Sequence, residues 1–339
     1  MIFISIKEFS LRCISITLAA IALMLISADT HAQVKLGASQ LPTYVDNEGE
    51  PARLNSIVTE AFARMEQTVE LSVMRPAFLG SSVLGGSLDG EYAFLDLDHN
   101  KSSFSYSASY LPVYLYAVSK KPSVKEVVLL PHLKDERIAV ENRFANTDKL
   151  RLIKDIKWAR NPSTFDAFRQ LADNRAYYLM TSRLLVDEFN RLLRSENEEL
   201  VHLSAQPLVT AGFHLALSGT SSATQALLKR FDKTISNMQQ DGTYNRLLGI
   251  DWLTKDLDDD GVADFISSAD MVHTSLNPTA LSYAFALDGT KASQQSHYYV
   301  DGTLYEDAQA AFAALAEVTQ TARPSLLDEE VYQRVLQRW

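Results

Sequence analysis

Cysteine is almost absent from this chain. The single thiol, Cys13, precedes an apolar run near the N-terminus. The rest of the chain therefore has no disulfide, no thiolate nucleophile and no thiol metal ligand. Familiar catalytic spacings are missing too. There is no G-x-S-x-G and no H-E-x-x-H, and His99, His132, His202, His214, His273 and His297 are scattered without metal-ligand spacing. Glycine and proline are few, 13 and 10 of 339 residues, and no low-complexity tract or internal repeat is visible. A formal net charge of −10 gives no electrostatic footprint for nucleic acid. Basic residues are scarcest at the C-terminal end. From Leu253 onward five Lys/Arg face fourteen Asp/Glu, so this stretch holds −9 of the −10. The shift marks a boundary near residue 252.

What is present begins with a targeting signature. Lys7 and Arg12 precede the apolar run Ile14 to Ile26, which is short for a membrane span. Thr30-His31-Ala32 then offers a small-residue cleavage site before Gln33. Residues 1–32 are expected to be a cleaved signal peptide, with an uncleaved anchor as the alternative reading. Cleavage would leave about 307 residues, enough for two or three compact units.

The chain is organised around Phe213 to Trp252. Phe213 to Leu217 is an apolar run, and Ser218-Gly219-Thr220-Ser221-Ser222 is a turn cluster able to cap a helix. Leu227, Leu228, Phe231, Ile235 and Met238 recur at helical spacing, and Asp241-Gly242 stops that helix because glycine accepts the left-handed conformation cheaply. Asp241-Gly242-Thr243-Tyr244 opens a second short helix, which ends near Trp252. Upstream, Leu54, Ile57, Val58, Ala61, Phe62 and Met65 predict a helix. Strands are predicted at Val34–Ala38, Val69–Met74, Tyr92–Leu97, Val113–Val118, Ile153–Trp158 and near 174–181. Ser163 is placed to cap a helix carrying Phe165, Phe168, Leu171 and Ala172.

This order of segments resembles the type II periplasmic solute-binding proteins of the amino-acid-binding kind, over residues 33 to 252. The resemblance implies an α/β, two-lobed periplasmic-binding-protein type II fold with two hinge crossings. Residues 33–118 and 212–252 would form one lobe and 119–211 the other. It implies a periplasmic protein, not an enzyme, that binds a small polar ligand between lobes for delivery to an ABC transporter. A ligand-sensing or adaptor protein acting on a membrane receptor is the alternative. No nucleic acid is expected as a partner, and a monomer is.

The site residues implied by position are Tyr44, Asp98, Asn100, Arg143 and Thr181. Tyr44 lies in the first ligand-facing loop, and Tyr106-Ser107-Ala108-Ser109-Tyr110 stands where the family writes Phe-Ser-x-Pro-Tyr. The family's carboxylate-clamping Arg is replaced by Asp98-His99-Asn100-Lys101. Asp96 and Asp98, if they face the cleft, would favour a cationic ligand. Glu141-Asn142-Arg143-Phe144-Ala145-Asn146-Thr147 replaces the family's Gly-Thr-Thr segment; the glycine is missing, and the bulky Arg143 is placed either to contact an anion or to plug the cleft. Thr181 stands where the family often puts an Asp that grips an α-ammonium, and it can offer only a neutral hydrogen bond.

Residues 253–339 match no pattern of that family and are expected to be a small α+β extension. Within it, Asp256-Leu257-Asp258-Asp259-Asp260-Gly261-Val262-Ala263-Asp264 has the D-x-D-x-D-G-x-x-D spacing of a calcium loop. A structural Ca2+ is expected on Asp256, Asp258, Asp260, the Val262 carbonyl and Asp264. Ser267 stands where a full EF-hand has its bidentate acid, so Asp270 is a candidate to compensate. Asp301-Gly302 predicts a tight hairpin, Ala308–Val318 a helix and Leu326–Trp339 a last amphipathic helix.

Overall fold

The computed structural model describes residues 33–46, 52–97, 102–273, 278–315 and 323–339. The expected signal peptide lies outside them. No helix among the described residues is long and apolar enough to cross a membrane.

Alternating and apolar runs become strands β1 (Val34–Ser39), β2 (Val69–Met74), β3 (Gly90–Leu95), β4 (Phe104–Tyr106) and β5 (Leu111–Ser119). They continue as β6 (Arg137–Glu141), β7 (Lys157–Asn161), β8 (Tyr178–Ser182), β9 (His202–Leu203) and β10 (Val209–Ser218). The hydrogen-bonded order is β2-β1-β3-β10-β5-β8-β6-β7, with β4 on β10 and β9 on β5. Two parallel groups, β2-β1-β3 and β8-β6-β7, flank the antiparallel pair β5 and β10. The lobes are therefore not separate sheets. The two long strands pass from one group to the other and carry a single hydrogen-bonded path through both.

Helix α1 (Arg53–Arg64) buries Leu54, Ile57, Val58, Ala61 and Phe62 completely, as their spacing predicts. Helix α2 (Pro76–Leu84) starts on a proline inside a stretch rich in Gly and Ser. Short α3 (Asn142–Ala145) and α4 (Asp148–Arg151) follow β6. Ser163 accepts from the Asp166 amide and caps α5 (Thr164–Ala172), and Ser182 caps α6 (Arg183–Ser195) through the Leu185 amide. Ser221 caps α7 (Ser222–Gln240), and α8 (Thr243–Leu248) follows Gly242. Gly242 has φ 76°, and a Cβ there would lie 2.8 Å from the Ser267 carbonyl oxygen. Both the turn and the close approach require glycine.

The strand predicted at Ile153–Trp158 forms later, as β7 from Lys157. A 3-10 turn (Pro278–Tyr283) precedes a two-residue strand at Phe285–Ala286. β10 carries a register shift between His214 and Ala216. Ser107 holds that irregularity: its backbone amide donates to the Leu215 carbonyl and its Oγ accepts from the Leu215 amide, both at 2.9 Å.

The extension forms a second sheet from β11 (Leu253–Lys255), β12 (Asp264–Ser267), β13 (Phe285–Ala286), β14 (Tyr298–Val300) and β15 (Thr303–Tyr305), in the order β13-β11-β12-β14-β15. The Asp301-Gly302 hairpin forms as predicted, both residues with positive φ and Val300 paired with Thr303. Helix α9 (Ala308–Ala314) packs Phe312 against Trp252. The last helical segment, α10 (Glu329–Arg338), buries Tyr332 and Val335 against Phe165 and Phe189 of the second lobe. Its apolar face is thus part of the core. Its backbone from Glu330 to Gln337 turns left-handed, with φ between 37° and 56°. The extension also meets the second lobe, where Arg183 of α6 donates to the carbonyls of Tyr283 and Ala284.

Candidate ligand-binding cleft

Parallel strands from the two lobes end facing a common cleft of about 770 Å³. Ser39 and Gln40 follow β1, Met74 to Pro76 follow β2, Glu141 to Arg143 follow β6, and Pro162 follows β7. The carboxyl ends of strands in open α/β sheets are where such folds take ligands, since side chains and helix starts converge there. Arg143 spans the cleft. Its Nη2 donates to the carbonyls of Ser39 at 2.8 Å and Gln40 at 3.1 Å. One guanidinium nitrogen of Arg143 thus ties the second lobe to the first. Its other guanidinium nitrogens have no partner among the described residues. Burial lowers its pKa, while the charges of Glu141, Glu91 and Tyr92 act the other way.

Glu141 is buried, and its Oε2 accepts from Thr164 Oγ1 at 2.7 Å. Burial raises its pKa, against the Thr164 hydrogen bond and the Arg143 charge. Arg75, exposed at the other wall, makes no ion pair among the described residues. The described cleft therefore presents two guanidinium groups against one carboxyl.

Of the described residues placed by sequence, only Arg143 lines this cleft. Tyr44 is 2% exposed, its hydroxyl 2.8 Å from Ser182 Oγ and its ring against Phe213. Burial pushes its pKa up to about 12, in spite of the Ser182 hydrogen bond and the Arg53 charge. It is a buried tie between lobes rather than a ligand-facing loop residue. Thr181 is buried on β8 opposite Tyr116, with its backbone held in the ladder. Asp98 and Asn100 lie outside the described residues. Asp96 turns to β10, where its Oδ1 accepts from the Gly212 amide at 2.8 Å and its Oδ2 lies 3.7 Å from His214 Nε2. Sequence reasoning missed Arg75 and Glu141. Their signal was weak, because each is one polar residue next to a strand end.

The acidic loop is partly gathered. Asp256, Asp258 and Asp260 each offer a carboxylate oxygen within 4.8 Å of the others, and carboxylate oxygens of Asp258 and Asp264 with a ring nitrogen of His297 form a second such group. Gly261 takes φ 87° at the turn, as the motif requires. Asp264 is buried and faces the second group, its carboxylate accepting from the amides of His297 and Leu257. The four acids do not converge on one point. Asp270 lies 3.8 Å from Arg246 Nη1, away from this loop.

Neither a protein-family model nor a curated protein sequence matches the chain. Solved structures do match in fold. One is the GluR0 ligand-binding core in complex with L-glutamate, with a TM-score of 0.53 and 12% identity over 65% of this chain and 97% of that one. A mutant of ArgBP from T. maritima gives 0.50 and 17% over 65% and 95%. The periplasmic VFT2 domain of Bordetella pertussis BvgS gives 0.50 and 16% over 64% and 92%. The chain has the two-lobed α/β fold of type II periplasmic binding proteins, with a second sheet added at its C-terminus.

Proposed function

We propose that this protein is a periplasmic solute-binding-protein-like molecule, exported through its N-terminal segment, that holds a small polar ligand between its lobes. The observation that carries the reading is the cleft at the strand ends of both lobes, spanned by Arg143. Among the described residues Arg75 and Arg143 stand against Glu141 there, which supports an anionic or amino-acid-like group; Asp96 is engaged with Gly212, and Asp98 lies outside the described residues. Guanidinium forks match planar carboxylates well. Binding rather than catalysis is the reading, because the described cleft residues pair no nucleophile with a base.

The partner would be an inner-membrane permease receiving the ligand. A receptor-coupled sensor is the second reading, and one observation favours it. Tyr44–Ser182, Arg143–Ser39 and the Arg53–Glu188 pair all tie one lobe to the other, which restrains free opening and closing. A calorimetric titration with L-glutamate, succinate and L-arginine tests the cleft. The expected result is saturable heat with L-glutamate or succinate that Arg143→Ala removes. Binding of L-arginine alone, unaffected by Arg143→Ala, would overturn it. We also propose that the extension binds a structural Ca2+ through Asp256, Asp258 and Asp260, with Asp264 and the Val262 carbonyl drawn in on binding. The D-x-D-x-D-G spacing and the three gathered carboxylates support this.

A further inference from the structure

A second cavity lies between α6 of the second lobe, the Gly249–Trp252 stretch and the extension. Its volume is about 410 Å³, and an adjoining cavity of about 230 Å³ shares Arg191, Gly249, Asp251 and Arg323 as walls. Five arginines and three carboxylates line the larger one. This is a local excess of positive charge in a chain of net −10.

Most of these groups are engaged. Arg53 and Arg323 both bind Glu188. Arg183 faces Asp187 at 3.7 Å and donates to two carbonyls. Arg194 is exposed at the rim. Arg191 remains, half-buried, with no hydrogen bond or ion pair among the described residues. Burial and the nearby charge of Arg323 lower its pKa, while the charges of Glu188, Asp251 and Asp187 act the other way. Two more donors on these walls are buried without partners among the described residues: the indole N–H of Trp252, a residue 2% exposed, and Nη1 of Arg53. Against them stands one carboxylate without a described partner, Asp251. Buried donors without acceptors are costly. Arg191, Trp252 and Arg53 are all donors, and a ligand that only accepts would satisfy them.

We propose that this cavity is a second binding site, separate from the inter-lobe cleft, for a compact oxyanion: a phosphate or the carboxylate of a small organic acid. Arg191 and Arg323 would hold its charge, with the Trp252 indole N–H as a neutral donor. Because α6 belongs to one lobe and Arg323 to the extension, a bound oxyanion would brace the extension against the second lobe.

The test is a titration of the full mature chain with inorganic phosphate and, separately, with succinate at constant ionic strength, read by calorimetry and tryptophan fluorescence. Saturable binding is expected, with a fluorescence change from Trp252. Arg191→Gln should weaken it about ten- to hundred-fold, as loss of a charge-assisted hydrogen bond does. Asp251→Asn should tighten it, because a like charge leaves the cavity. That opposite response is one a merely structural role would not give, and it covers the case where Arg191→Gln folds poorly. Stronger binding of phosphate than of succinate would identify the phosphate source, and the reverse the organic acid. No saturable binding of either at about 10 mM, a concentration that would reveal dissociation constants in the millimolar range, overturns the proposal. So does binding that Arg143→Ala abolishes while Arg191→Gln and Asp251→Asn leave it unchanged, since the anion would then sit in the inter-lobe cleft.

Discussion

Arg53 at the start of α1 and Glu188 in α6 are 135 residues apart and meet at 2.5 Å, both almost wholly buried. Arg53 also donates from Nε to the Leu248 carbonyl, so one side chain joins α1, α6 and the end of α8. Arg323 of the extension closes on the same carboxylate, and the Leu326 amide donates to its Oε2 at 2.8 Å. Glu188 is thus the point where both lobes and the extension are tied together. A buried carboxylate of this kind is stable only while its cations remain.

Glu188→Gln would leave Arg53 buried without its counter-charge. The expected loss is about 3–5 kcal/mol of stability, the range for breaking one side of a buried pair. Urea unfolding of the variant and parent chains measures it. A loss below about 1 kcal/mol, the range of an exposed ion pair, would show that the network does not bear on the fold.

The same group makes a pH prediction. Burial alone would raise the Glu188 pKa, but the Arg323 hydrogen bonds, the charges of Arg53 and Arg323 and the Leu326 amide together pull it down from 4.5 to about 2. A carboxyl depressed on folding gives stability that is present above its unfolded pKa and lost as pH falls through its folded value. Between about pH 4.5 and 2 this residue should therefore remove on the order of 3 kcal/mol. Unfolding midpoints across that window should slope less steeply in Glu188→Gln than in the parent chain. Equal slopes would contradict the assignment.

Arg143→Ala removes both a cation from the cleft and the contacts to Ser39 and Gln40. Weaker binding of an anionic ligand, by about ten-fold or more, is expected together with a wider spread of lobe separations in solution scattering. Unchanged affinity and unchanged scattering would leave Arg143 without either role.

The acidic loop predicts a thermal response. Three gathered carboxylates repel unless a cation neutralises them, and a metal that favours the folded loop raises the melting temperature. Millimolar Ca2+ should raise it in the parent chain and not in Asp258→Asn with Asp260→Asn. A melting curve indifferent to Ca2+ would make the loop a solvated acidic turn.

Gly242→Ala should destabilise the chain by about 1–2 kcal/mol from the left-handed backbone alone. More is expected from the methyl group meeting the Ser267 carbonyl, Asp301 Oδ1 and Ser268 Cβ. Gly80→Ala, in a helix with open space around the new methyl, is the control and should not lose stability.

The sequence by itself determined the local elements. Ser163 and Ser221 cap their helices because a side-chain oxygen beside a first turn has few other uses, and Asp301-Gly302 turns its hairpin because few residue pairs accept positive φ. The apolar face of α1 was equally legible, since its period of 3.6 can bury only one side. The order of these elements was enough to indicate the two-lobed fold. Only the tertiary structure decided which polar residues face a ligand. Tyr44 looked like a loop residue until Ser182, 138 positions away, closed over its hydroxyl. Arg143 was visible as a bulky residue in a segment that lacks the family's glycine, but its contact with the Ser39 carbonyl depends on how the lobes meet. Glu188 sits in an amphipathic helix as one acid among several, and nothing near it in the chain announces Arg53 or Arg323. Local pattern fixes which face of an element is buried. What a buried polar atom bonds to is set by chain segments a hundred residues off, and no local period records them.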